Sequence, residues 1–131
     1  MRLALAILIY FVVGFFIYRA WWSARAGTRA DLPLDPATIE ARIRYDHYTW
    51  LGLRYYARRD FGNAEVAFRK STQYGSHRPL AYNNLGSALN ARGEWDEAIT
   101  ALEHALALDS SLTIARKNLA WARAQRARRG R

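Results

Sequence analysis

The stretch "YNNLGSALNARGEWDEA", Tyr82 to Ala98, has a counterpart 34 residues upstream, "YTWLGLRYYARRDFGNA", Tyr48 to Ala64. Laid over one another, the two keep Tyr, Leu-Gly, Ala-Arg and a closing Ala in register. They exchange like for like at Tyr55 and Leu89, Asp60 and Glu94, and Phe61 and Trp95. Tyr82, Leu85, Gly86 and Leu89 fall at i, i+3, i+4 and i+7, one stripe of an α-helix. After a turn at Gly93, Trp95, Ala98, Leu102 and Ala105 restart the stripe. Upstream, Tyr48, Leu51, Gly52 and Tyr55 precede a turn in "RRDFG", and Phe61, Ala64 and Phe68 follow. Each unit therefore spells two antiparallel helices. The small residues, Gly52 or Gly86 on the first helix and Ala64 or Ala98 on the second, let the pair approach closely, and aromatics fill the gaps between pairs.

Working outward, Leu119 and Ala120 stand 34 residues after Leu85 and Gly86, so a third unit begins on schedule. It is expected to supply a single closing helix from Thr113 to about Arg128, with a basic tail to Arg131. On the other side, Asp35 followed by Pro36 is a helix start: a side-chain cap, then a residue with no amide hydrogen to leave unsatisfied. From Pro36 to about Arg59 nothing breaks a helix. Residues 23–36, with Gly and two Pro among charges, read as a tether.

The net charge of +9 divides unevenly. Residues 1–44 carry six Arg against three acids, residues 45–112 seven basic against eight acidic residues, and residues 113–131 seven basic residues and no acid. The repeated core is not cationic, which argues against nucleic acid as partner. There is no cysteine, hence no disulfide or thiolate chemistry.

Leu3 to Tyr18 carries no charge, and "RAWW" follows. Counted on to Trp22, the run reaches the length of about 20 residues that a bilayer needs. Arg19 can snorkel, and Trp21 and Trp22 suit an interfacial belt. Residues 1–22 are thus expected to form a retained transmembrane helix in a cell membrane; a signal peptide cleaved near Ala24-Arg25-Ala26 is the alternative. Arg19, Arg25 and Arg29 against Arg2 and the amino group favour a cytoplasmic domain by a margin of about one charge, with the periplasmic or other extracytoplasmic side as the alternative. Tyr10, Gly14 and Tyr18 lie about 40° apart in succession around such a helix. A tyrosine hydroxyl in hydrocarbon is costly without a partner, and Gly14 leaves a notch, so this face is expected to meet another transmembrane helix.

The repeat resembles the tetratricopeptide repeat family, whose pattern puts an aromatic at position 4, Leu-Gly at 7 and 8, Gly at 15, an aromatic at 17, and Ala at 20 and 27. The unit from Pro79 supplies Tyr82, Leu85, Gly86, Gly93, Trp95, Ala98 and Ala105. The unit from Tyr45 supplies Tyr48, Leu51, Gly52, Phe61 and Ala64, and departs at Arg59 and Ser71. The resemblance implies an all-α stack over residues 37–131, with repeats at about 45–78 and 79–112 and a closing helix. It also implies a concave face that binds other proteins through Asp46, Thr49, Leu53, Tyr56, Leu80, Asn83, Ser87, Asn90, Lys117 and Trp121. A subclass that clamps chaperone C-termini has only Asn84 in common with this chain, so that partner is rejected.

No catalytic, metal or cofactor constellation is expected. His47, His77 and His104 lie far apart in sequence without a carboxylate pair, and Glu94, Asp96 and Glu97 suit a helix start. The expected function is a membrane-anchored adaptor, assembly factor or accessory subunit of a membrane complex. Its rival is binding to anionic lipid, or less favourably to nucleic acid, through Arg19, Arg126, Arg128 and Arg129. With two and a half repeats, an apolar face is expected to be covered by a partner.

Overall fold

The computed structural model describes residues 35–130, so the expected membrane span and the tether up to residue 34 lie outside the described residues. Five helices follow one another: α1 Pro36–Ala57, α2 Phe61–Tyr74, α3 Pro79–Arg92, α4 Trp95–Leu108 and α5 Thr113–Arg129. No strand occurs among the described residues, and no helix there is long and apolar enough to cross a membrane. Helix α1 starts at the Asp35-Pro36 step, and α5 runs to Arg129, one residue past its expected end.

Glycine sets the closeness of each hairpin. A Cβ on Gly52 would lie 2.5 Å from Phe68 Cδ1, and one on Gly86 2.5 Å from Leu102 Cγ. Phe68 and Leu102 are fully buried, so neither can yield. The core continues through Ala64, Leu85, Ala88, Leu89, Ala98, Ala105, Ala115, Leu119 and Ala122. Its alanines pack backbones together where larger side chains would hold them apart. Helix α5 closes the stack against α4 and, along part of its length, α3.

Both hairpins turn in the same way. Gly93 has φ 80°; its N–H donates to Asn90 O, and the Glu94 N–H donates to Leu89 O at 3.0 Å. Arg59, in the equivalent place, has φ 61°, with Arg59 N–H on Tyr56 O at 2.9 Å and Asp60 N–H on Tyr55 O at 3.0 Å. These are the paired bonds that end a helix through a left-handed residue. The departure at Arg59 leaves the turn unchanged and loads it with a side chain. The departure at Ser71 is also accommodated: the fully buried hydroxyl lies 2.7 Å from Thr49 Oγ1, joining α2 to α1.

Helix α2 is capped by Asp60, whose carboxylate accepts from the Asn63 backbone at 3.2 Å and from its side chain at 2.7 Å. The acidic trio lies at the start of α4, as expected, and makes ion pairs besides. Glu94 occupies the cap position without a capping bond. It pairs with Arg92 at 2.8 Å, while Asp96 pairs with Arg126 at 3.1 Å and Glu97 with Arg69. These side chains tie neighbouring helices to the turn, and Asp96 and Glu97 still place negative charge at the N-terminal end of the helix dipole.

Candidate functional site

Helices α3 and α5 pack side by side, and α1 holds the equivalent place in the preceding hairpin. Positions 2, 6, 9 and 13 of each unit lie within one stripe, since helical spacing brings i, i+4, i+7 and i+11 together. On α1 these are Asp46, Trp50, Leu53 and Ala57; on α3 Leu80, Asn84, Ser87 and Ala91; on α5 Ile114, Asn118, Trp121 and Gln125. Leu53, Leu80, Ile114 and Trp121 are about half exposed. Tyr56 is exposed beside them with its ring edge against Phe61 at 5.2 Å, and Trp121 is held edge-on by Trp95 at 5.0 Å. Asp46 and Lys117 are exposed. A surface of aliphatic side chains with two aromatic rings braced by neighbours suits the capture of an apolar segment of another chain.

Four residues expected on that face lie elsewhere or do other work. Asn83 and Asn90 are only 3% and 6% exposed, covered by α5. Asn118 Nδ2 donates to Asn83 Oδ1 at 3.0 Å and to Ser87 Oγ at 3.1 Å, and Asn90 Nδ2 donates to Asn118 O at 3.3 Å. Ser87 is partly buried, and its hydroxyl also donates to Asn83 O at 2.9 Å. This polar ladder fixes the register of α5 on α3. Thr49, also expected on the face, is half-turned inward to Ser71. Asn90 Oδ1 has no hydrogen-bond partner among the described residues. Conversely, Trp50 and Asn84 at position 6 were not expected on the face. Trp50 is 54% exposed, with the Arg54 guanidinium 4.7 Å from its ring centroid.

The C-terminal cations are partly committed. Arg126 pairs with Asp96, and Arg123 with Glu103 at 2.8 Å; Arg128 and Arg129 make no ion pair among the described residues. In the last turn of α5 their charge complements the helix dipole. Tyr10, Gly14, Tyr18 and Arg19 lie outside the described residues.

Chemistry-bearing clusters elsewhere resolve into packing. Carboxylate oxygens of Glu65, Glu94 and Glu97 come within 4.8 Å of one another. Arg92 bridges Glu65 and Glu94, and Arg69 bridges Glu65 and Glu97, so the cations that this trio needs are already supplied by the chain. A groove of about 360 Å³ between α2 and α4 is lined by Thr72, Tyr82, Leu85, Thr100 and His104. The His104 ring lies 4.0 Å from that of Tyr82 in a tilted aromatic contact.

Comparison with known proteins follows the same lines. Residues 79–112 match the tetratricopeptide repeat family, so the chain carries that repeat across α3 and α4. The hairpin of α1 and α2 repeats its glycine contact and its turn. A peroxisomal targeting signal receptor of Kluyveromyces lactis is 39% identical over 70 residues, which is 53% of this chain and 12% of that protein. The chain thus spans about an eighth of the relative's length, 12%.

Proposed function

We propose that this tetratricopeptide-repeat chain is a protein–protein interaction module, tethered to a membrane through residues 1–22, that works by binding and not by catalysis. The observation that carries the reading is the row of half-exposed Leu53, Leu80, Ile114 and Trp121 across three helices, with Tyr56 at its edge. Burying each such side chain under a partner contributes about 1.5–3 kcal/mol at most if it were fully exposed, and about half that here. A few together support a specific complex. The relative's name, a receptor for a targeting signal, supports a segment of another protein as the occupant of this face. An uncharged run followed by Arg and paired Trp supports the tether, and a tethered binding module suits an adaptor, assembly factor or accessory subunit of a membrane complex.

The test is copurification of the full chain with its partners in mild detergent. Leu80→Asp and Trp121→Asp are each expected to strip the partner while leaving the helical signal intact; retention of the partner by both would overturn the reading. Extraction of membranes at alkaline pH addresses the tether separately, since a spanning chain stays in the pellet. Adhesion of the tail to anionic lipid is the weaker reading, because Arg123 and Arg126 already hold partners within the chain.

A further inference from the structure

Helix α1 is apolar on two separate faces. One carries Tyr45 and Gly52 inward, buried within the hairpin. The other, roughly 130° around the helix at ~100° per residue, carries Ile39, Ile43, Trp50 and Leu53. Ile43 is 63% exposed and Trp50 54%. With Asp46 between them these residues step by 4, 3, 4 and 3, the spacing of a seam that receives the side chains of a second helix. Part of the seam lies in the nine residues, Pro36 to Arg44, that α1 adds before the repeat begins at Tyr45. An isolated repeat has no need of that extension, and its two isoleucines are exposed.

The occupant can be read from the charges. Asp46 sits at the middle of the seam and makes no hydrogen bond or ion pair among the described residues. Glu40, on one flank, is taken by Arg44 at 2.6 Å. Arg42 and Arg54 leave the flanks cationic. We propose that the seam is the docking site of one amphipathic helix of another protein. That helix is apolar at heptad spacing, carries a single Lys or Arg at its centre opposite Asp46, and has acidic residues beside Arg42 and Arg54. The inference deepens the reading of the chain as an interaction module and rests on it.

Three other occupants fit less well. A second copy of the chain would bring Asp46 against Asp46 in either helix direction, because residue 46 is the midpoint of the stripe from 39 to 53. Two carboxylates in one apolar layer repel. The chain's own residues 3–18 contain no charge to meet Asp46. A preceding repeat is disfavoured because the positions of the fully buried Ala81 and Ala88 on α3 are His47 and Arg54 on α1.

The experiment uses the full chain in detergent and two synthetic 24-residue helices as probes, read by fluorescence anisotropy. Both carry Leu along the seam and Glu at the flanks; one has Lys at the centre, the other Glu. The Lys helix is expected to bind at least about tenfold more tightly than its twin, as coupling across a close charge pair requires. Asp46→Lys is expected to reverse that preference, and Ile43→Asp, at an exposed position that does not support the fold, to abolish binding of both. Leu80→Asp is expected to leave the probe unaffected while it removes the partner of the α1–α3–α5 face, so the two readings fail separately. Equal binding of the twins, or no binding by either, overturns the proposal. So does a dimer in light scattering that Ile43→Asp dissociates, or a photocrosslink from position 43 into residues 1–34 of the same chain.

Discussion

Arg59 offers a direct measure of what the backbone of this repeat demands. Its φ of 61° is the only positive value at a non-glycine among the described residues, and the equivalent Gly93 has φ 80°. The left-handed region costs an L-residue roughly 1–2 kcal/mol through contact of Cβ with the following carbonyl. Glycine is free of that contact but loses about 0.5–1 kcal/mol more conformational entropy on folding. Arg59→Gly should therefore stabilise the fold by a net ~0.5–1 kcal/mol. The side chain itself contributes nothing to offset this, since Arg59 is exposed and makes no side-chain hydrogen bond or ion pair among the described residues. For a folded unit of this size the gain corresponds to a rise in melting temperature of about 2–8 °C.

Arg59→Ala is the necessary control, because it removes the same positive charge next to Arg58 without relieving the backbone. Gly93→Ala completes the comparison in the other direction. A Cβ there would sit 3.5 Å from Trp95 Cζ2, an ordinary contact, so its cost is conformational alone. Thermal melts followed by circular dichroism on the full chain should rank Arg59→Gly above the wild type and Gly93→Ala below it, with Arg59→Ala close to the wild type. Amide exchange should place the Arg59→Gly gain mainly in α1 and α2, because a repeat contributes its own stability and that of its neighbouring interface. Equal gains for Gly and Ala at position 59 would assign the effect to charge. No gain for Gly would refute the left-handed turn.

Gly86→Leu should cost about 3 kcal/mol or more, the upper range for overpacking, because its Cβ alone meets Leu102 at 2.5 Å; a denaturation midpoint close to wild type would refute the helix register. Asn118→Ala should cost ~1–3 kcal/mol in urea unfolding by leaving Asn83 Oδ1 buried without its donor, while Ser87→Ala should cost less. Asp60 and Asp109 are held below the usual carboxylate range, by the Asn63 side chain and then its backbone N–H in one case, and by the Ser111 hydroxyl and then its backbone N–H in the other. Their depressed folded values mean stability that is present above the unfolded value of about 3.9 and lost as pH falls through the folded one. The combined Asp60→Asn and Asp109→Asn variant should therefore lose less stability than wild type on acidification from pH 5 to pH 3.

The hairpins were legible because their determinants are local and repeat in register. Gly52 and Phe68 are 16 residues apart, as are Gly86 and Leu102, and the same separation in two copies leaves little room for another register. The asparagines were misplaced for the opposite reason. A polar side chain on the first helix of a hairpin reads as exposed, and only the closure of α5 buries Asn83 and Asn90. The bonds that satisfy them reach 35 residues from Asn83 to Asn118 and 28 from Asn90 to Asn118. Arg59 departs from the glycine of the repeat pattern, yet the structure keeps the turn, because the two terminal hydrogen bonds and the Asp60 cap fix its geometry.

Asp46 and Leu53 of the second stripe of α1 were expected on the binding face, but its first half was not, because the repeat pattern starts at Tyr45 and Ile39 and Ile43 precede it. The stack is consequently unlike at its two ends. Beyond α4 it is finished by α5, whose outer cations Arg123 and Arg126 are tied back by Glu103 and Asp96, and whose last turn is solvated. At α1 the flank toward which another helix would lie is apolar and holds one free carboxylate. Asp46, Trp50 and Leu53 belong both to this stripe and to the face across α3 and α5, so an occupant of one adjoins the other. A partner that supplies an apolar segment along the face and a helix along α1 would cover a continuous surface from Ile39 to Trp121. The uncovered area then lies where a complex would form.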